Sequence, residues 1–119
     1  MTTSTIDQAE MIATTATDEK AFDVQLLDLR GLTVLADFFV IASGRSAIQA
    51  KSIAESIEDR MLEQGMRPTR REGFKDGRWV ILDYSGIMVH VFRQEEREFY
   101  QLENLWADAK RIQFQNAQQ

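Results

Sequence analysis

The run "ADFFVIAS", Ala36 to Ser43, does most to limit how this chain can fold. Its apolar residues follow one another without the alternation of a half-solvated strand, so it reads as a strongly buried strand. Gly44 breaks it, and Ser46 is a good helix N-cap with Gln49 three residues on. From there Ala50, Ile53, Ala54, Ile57, Met61 and Leu62 form one apolar stripe over about four turns. Gly65 is the natural residue just past the helix end, and Pro68 prevents continuation. A buried strand feeding a helix of this length permits a right-handed crossover and hence a parallel strand pair.

The flanking segments complete the pattern. Ser4 or Thr5 can cap a first helix in which Ile6, Ala9, Ala13 and Ala16 recur at helical spacing, with Gln8 placed for a capping box. That helix should end between Thr17 and Lys20. "FDVQLLDL" then reads as a strand closed by a turn at Arg30-Gly31. "PTRREGFKDGRWVILDYSGIMVHVF" reads as three short strands with turns at Asp76-Gly77 and Ser85-Gly86, the second closing a tight hairpin. After Arg93 the period becomes helical again, with Phe99, Leu102, Leu105, Trp106 and Ala109 on one face and Phe99 and Leu102 expected in the core. The predicted fold is α/β, a two-layer sandwich with a mixed sheet of about five strands and helices mainly on one face. Residues 1–112 form a single domain in this reading, and 113–119 a polar tail expected to fray.

Composition narrows the chemistry. With 119 residues, the chain has the length of one domain with a modest core. It has no cysteine, so disulfides, thiol chemistry and thiolate zinc sites are excluded. One histidine excludes a multi-histidine metal site within one chain. A net charge of −5 opposes broad attachment to nucleic acid and suits a basic partner, such as a protein that itself binds nucleic acid. No run approaches the roughly 18 apolar residues of a membrane span, and the N-terminus has no signal-peptide pattern. The expected compartment is the cytoplasm.

Three features invite a chemical reading. "IASGRS" sets glycine and serine between a strand and a helix N-terminus, where backbone N–H groups can hold an anion, though it matches no nucleotide-loop signature and a capped turn explains it. Asp28, Asp37 and Asp83 stand at strand positions but not at the spacing of a strand-borne metal pair. His90 lies in an apolar strand with no nucleophile at recognisable spacing, so a histidine hydrogen-bonded within the fold or at an interface explains it better than a catalytic triad. The hairpin says more. Val80, Leu82, Val89 and Val91 share a face suited to helix packing, whereas Trp79, Ile81, Asp83, Met88, His90 and Phe92 share the other. Aromatic anchors bordered by a few polar groups are the composition of an interface, the alternative being a second helix layer or a self-association surface. In the last helix Glu96, Arg97, Tyr100 and Glu103 form a flank that suits either solvated ion pairs or a basic partner.

Four stretches together resemble the ribosomal silencing factors of the Iojap family: "DLRGLTVLADFFVIASGRS", "IAESIEDRM", "EGFKDGRWVILDYSGIMVHVF" and "REFYQLENLWADA". The resemblance covers about Asp18 to Lys110. It implies a fold similar to nucleotidyltransferases without their chemistry, hence no enzyme activity and no cofactor. It also implies binding to the large ribosomal subunit through ribosomal protein fourteen, which blocks joining of the small subunit and silences translation when nutrients are scarce. Carried onto this sequence, the contact surface falls on Trp79, Tyr100 and Glu103, with Asp83, Met88 and His90 in the same region. Ser85-Gly86 departs from the glycine-aspartate of many family members, so no charge contact is carried over at that turn. Such a factor makes little direct contact with nucleic acid, and free copies could pair through the same face. The rival reading is a small nucleotidyltransferase-like enzyme holding a nucleotide at Gly44–Ser46, with Asp37 or Asp83 binding metal.

Overall fold

The computed structural model describes residues 4–114. Helix α1 spans Thr5–Asp18, and its cap is Ser4, whose Oγ accepts from the Asp7 N–H. Strands β1 (Phe22–Asp28) and β2 (Phe38–Gly44) precede helix α2 (Ala47–Glu63). Strands β3 (Arg70–Glu72), β4 (Trp79–Asp83) and β5 (Ile87–Arg93) come next, then helices α3 (Gln94–Tyr100) and α4 (Leu102–Leu105) and strand β6 (Lys110–Arg111). One open mixed sheet results, in the order β3-β4-β5-β2-β1-β6. Strand β2 pairs with β5 in parallel from Phe38↔Ile87 to Gly44↔Arg93, and the other neighbours are antiparallel.

The sheet therefore has six strands, not five. The extra one is a basic dipeptide with no apolar period to betray it, and it is a strand only because it pairs with Leu27 and Asp28 of β1. The second difference is at the C-terminal helix, which is interrupted. Gln101 takes a left-handed conformation (φ 47°, ψ 51°), ending α3 and starting α4.

Period two divides the strand residues between two cores. Phe38, Val40 and Ala42 on β2, Ile87, Val89 and Val91 on β5, and Val80 and Leu82 on β4 form one buried cluster with the inner faces of α1 and α2. Those helix faces are rich in alanine (Ala9, Ala13, Ala16, Ala50 and Ala54), which lets backbones approach closely. Leu27, Phe39, Ile41 and Phe92 point to the other side, where Leu29, Ala36, Leu102 and Ala109 cover them. The two long helices thus share one face, and the short C-terminal helices lie on the opposite one. Strand β2 is buried at every position, which explains its unbroken apolar run. Each aliphatic side chain so buried is worth about 1.5–3 kcal/mol.

After β6, Ile112 donates its N–H to the Leu26 carbonyl at 2.8 Å, and Phe114 packs against the first core. The rest of the expected tail, from residue 115, lies outside the described residues. At the sheet's two edges, all of β3 and β6 is exposed.

Strand β4 is set in place by the turn before it. Gly73 has φ +84°, and a Cβ there would collide with the Trp79 carbonyl. Gly65, beyond α2, has φ +78° with open space around it. Gly65→Ala should therefore carry only the conformational penalty, about 1 kcal/mol, whereas Gly73→Ala should exceed 2 kcal/mol. Thermal denaturation of the two variants measures this. Equal losses would show that the turn relaxes around the methyl group.

Candidate functional site

Trp79 opens β4 opposite Phe92 of β5, and their rings lie 4.8 Å apart. Tyr100, the last residue of α3, sets its ring 4.9 Å from that of Trp79. Phe99 meets Tyr100 edge-on at 4.9 Å and 87°. The four rings form a series from the interior outwards, with Phe92 fully buried, Trp79 half-buried, Tyr100 49% exposed and Phe99 80% exposed.

His90 stands behind this series, between Ile41 and Ile81 in the sheet. The Trp79 indole N–H donates to His90 Nδ1 at 3.0 Å. An accepting Nδ1 is unprotonated, so the neutral ring carries its hydrogen on Nε2. That atom is buried with no hydrogen-bond partner among the described residues. The Phe39 ring packs edge-on against the imidazole at 4.6 Å and, at 5.9 Å, against Trp106. Burial alone pushes the His90 pKa down to about 3. At 4% exposure, His90 lies beneath the surface that sequence reasoning placed it on.

Glu103 also faces inward. Both of its oxygens accept from Arg97 Nε, at 3.2 and 3.1 Å, while Arg97 Nη1 donates to Ser43 Oγ of β2 at 2.7 Å. Arg97 is 5% exposed. One buried guanidinium therefore ties β2, α3 and α4 together across the break at Gln101. The neighbouring carboxylate, Glu96, pairs with Arg93, and that bidentate hydrogen bond holds its pKa below the usual range.

Asp83 and Met88 lie at the far end of the hairpin. They face each other across β4 and β5, four residues from the Trp79↔Phe92 pair, or about 13 Å along the strands. Asp83 accepts from the Ser85 N–H at 3.0 Å and lies 4.0 Å from Arg70. Met88 is half-buried against the second core. The structure thus gathers Trp79, His90 and Tyr100, braces them through Glu103, and leaves Asp83 and Met88 apart.

Phe99 corrects an expectation, since it is not in the core. The buried residue of α3 is Arg97, and a side chain two positions later points roughly 200° away, into solvent. Leu105 of α4 is exposed as well, although Leu102 of the same short helix faces inward. Arg97, grouped by spacing with a solvated or partner-facing flank, is instead buried, and its partners lie six and 54 residues away, outside any helical spacing.

The features of the nucleotide reading do not converge. At the Gly44–Ser46 turn, Ser46 Oγ accepts from the Gln49 N–H at 3.1 Å and Gln49 Oε1 accepts from the Arg45 N–H at 2.7 Å, a reciprocal cap. Asp37 precedes the opposite end of β2, about 20 Å away along the strand, and Asp83 lies at that same far end.

Two consequences can be measured. Removing Glu103 strands a buried cation, so Glu103→Ala should lower stability by about 1–3 kcal/mol, whereas exposed Glu98→Ala should leave it near wild type. Equal melting curves for both would mean that solvent replaces the brace. His90 is neutral when folded down to about pH 3, while in the unfolded chain it takes up a proton below about 6.5. Its contribution is therefore complete above that pH and is lost as pH falls. Between pH 8 and 5 it should remove about 2 kcal/mol. In denaturant titrations His90→Phe should flatten that slope, and an unchanged slope would place the titrating group elsewhere.

A family model described as "Ribosomal silencing factor during starvation" matches residues 2–119. The chain is 40% identical over 100 residues to Ribosomal silencing factor RsfS of Bacillus subtilis (strain 168), covering 84% of this chain and 85% of that one. It is 29% identical over 102 residues to the chloroplastic protein Iojap of Arabidopsis thaliana, covering 86% of this chain and 42% of that longer one. The X-ray crystal structure of a Chromobacterium violaceum protein superposes with a TM-score of 0.85 at 28% identity, over 94% of this chain and 92% of that one. The match along almost the whole sequence, the similarity to named silencing factors and the shared fold agree: the chain belongs to the ribosomal silencing factor family.

Proposed function

We propose that this protein binds the large ribosomal subunit through ribosomal protein fourteen, stands where the small subunit must dock, and thereby represses translation when nutrients are scarce. The observation that carries this reading is the graded aromatic series, in which Trp79 and Tyr100 pack ring against ring at a 45° tilt, held from behind and open to solvent in front. Aromatic side chains fixed in this way lose little conformational freedom on binding and supply much apolar contact area. Phe99 extends the series outward. Asp83 and Met88, at the other end of the hairpin, form the rim of the same contact. A net charge of −5 favours a basic protein partner over bare ribosomal RNA.

The mechanism is steric and requires no cofactor or bond-making step. Its compartment is the cytoplasm, where subunits meet. Two free copies pairing through this face would compete with ribosome binding.

The test mixes purified protein with separated ribosomal subunits at rising magnesium and follows joining on sucrose gradients. The protein should travel with large subunits and reduce the joined peak. Trp79→Ala and Tyr100→Ala should each weaken binding more than about tenfold, the usual consequence of truncating a central aromatic anchor. Ile48→Ala, exposed on α2, should bind as wild type. A protein that stays at the top of the gradient while subunits join normally would end this proposal.

A further inference from the structure

We infer that His90 is a positioning residue for Trp79: its unprotonated Nδ1 takes up the indole N–H inside the protein, so that Trp79 offers a partner only apolar ring surface. The inference rests on the proposed function insofar as Trp79 meets a partner there. The geometry of the pair belongs to the structure itself.

Trp79 has one polar group, the indole N–H, and it is a donor only. It points inward to His90 Nδ1 at 3.0 Å. The acceptor has little freedom to move. His90 sits in the middle of β5 between β2 and β4, and the Phe39 ring lies 4.6 Å away. Trp79, by contrast, is the first residue of its strand and only half-buried, so without the hydrogen bond its ring would retain freedom to turn.

The arrangement specifies the chemistry of the surface that receives Trp79. An indole whose N–H is free needs an acceptor in any pocket that desolvates it, because an unmet buried donor is costly. With that N–H already met by His90, the receiving surface needs no carbonyl or carboxylate. Aliphatic side chains and the stems of lysine or arginine suffice, and a cation can lie over the ring face. This matches the basic partner that the charge of the chain favours.

Two measurements on uniformly 15N-labelled protein test the inference, with the Trp79 indole resonance assigned by its loss in Trp79→Phe. The first is the coupling across the hydrogen bond between indole Nε1 and imidazole Nδ1 in the wild type. Its presence is expected, and its absence would overturn the assignment whatever the variants do. The second compares the affinity of wild type, His90→Asn and His90→Phe for purified large ribosomal subunits. Asparagine places an acceptor oxygen close to where Nδ1 lies, and phenylalanine supplies none. His90→Phe should shift the indole resonance and weaken binding by about three- to tenfold, the worth of one hydrogen bond, whereas His90→Asn should stay within about twofold of wild type. If the phenylalanine variant binds as wild type, or the asparagine variant falls equally far while still folded, His90 does not act through its acceptor. Should the wild type itself not bind large subunits, the proposed function falls together with the partner half of this inference. The coupling then still decides whether His90 positions Trp79.

Discussion

A single parallel ladder between β2 and β5 organises both faces of the molecule. The two strands occupy the centre of the sheet, and their side chains alternate between the core beneath the long helices and the core beneath the C-terminal segment. Were one strand displaced by a single residue, every side chain on it would exchange faces. Val89 and Val91 would then lose α2, and His90 and Phe92 would be driven in among the alanines of α1 and α2. The aromatic series exists because this register sets Phe92 beside Ser43 and His90 beside Ile41. Everything outward of those residues, including Trp79 and Tyr100, is placed relative to that pair of strands.

On this foundation sits an unusual fastening. Leu102 and Ala109 pack against the second core, and between α3, α4 and the sheet lies a guanidinium shared between Ser43 and Glu103. An apolar side chain in that position would pack against whatever lay near it. A planar donor with partners in fixed directions selects one orientation of the helix pair. The fastening holds α3 so that Tyr100 lies against Trp79, and it allows the backbone to take a left-handed residue at Gln101 without the two helical segments drifting apart. If the proposed contact is made here, a surface already held in place loses less entropy on association.

The sequence made the fold legible wherever period and punctuation agreed. Ser4, Ser46 and Gly65 mark helix ends that the structure reproduces, and the two faces of the hairpin separate as the alternation from Trp79 to Phe92 requires. Pattern reading failed where a side chain acted against its usual hydropathy. Arg97 takes the inward position of α3, so Phe99, expected in the core, is turned to solvent. Strand β6 has no pattern of its own and is defined by its neighbour. At the site, the alternation singled out the face that carries Trp79, and a hydrogen-bonded His90 was expected, but neither its partner nor the inward pairing of Glu103 with Arg97 was legible. Both depend on which neighbour each polar atom meets, and spacing along the chain carries no such information.

The sheet is open, and its two edges are chemically alike. Arg70 and Arg71 stand on one, Lys110 and Arg111 on the other, although the molecule as a whole is acidic. An unpaired strand edge is a template on which another chain can add, and basic side chains along it are a common defence. If copies of this protein met edge to edge, cation would face cation, and continuing one sheet into the next would mean burying guanidinium groups already engaged with Glu72 and Glu58. The molecule is thereby guarded against growing into fibres along the very direction its architecture leaves open.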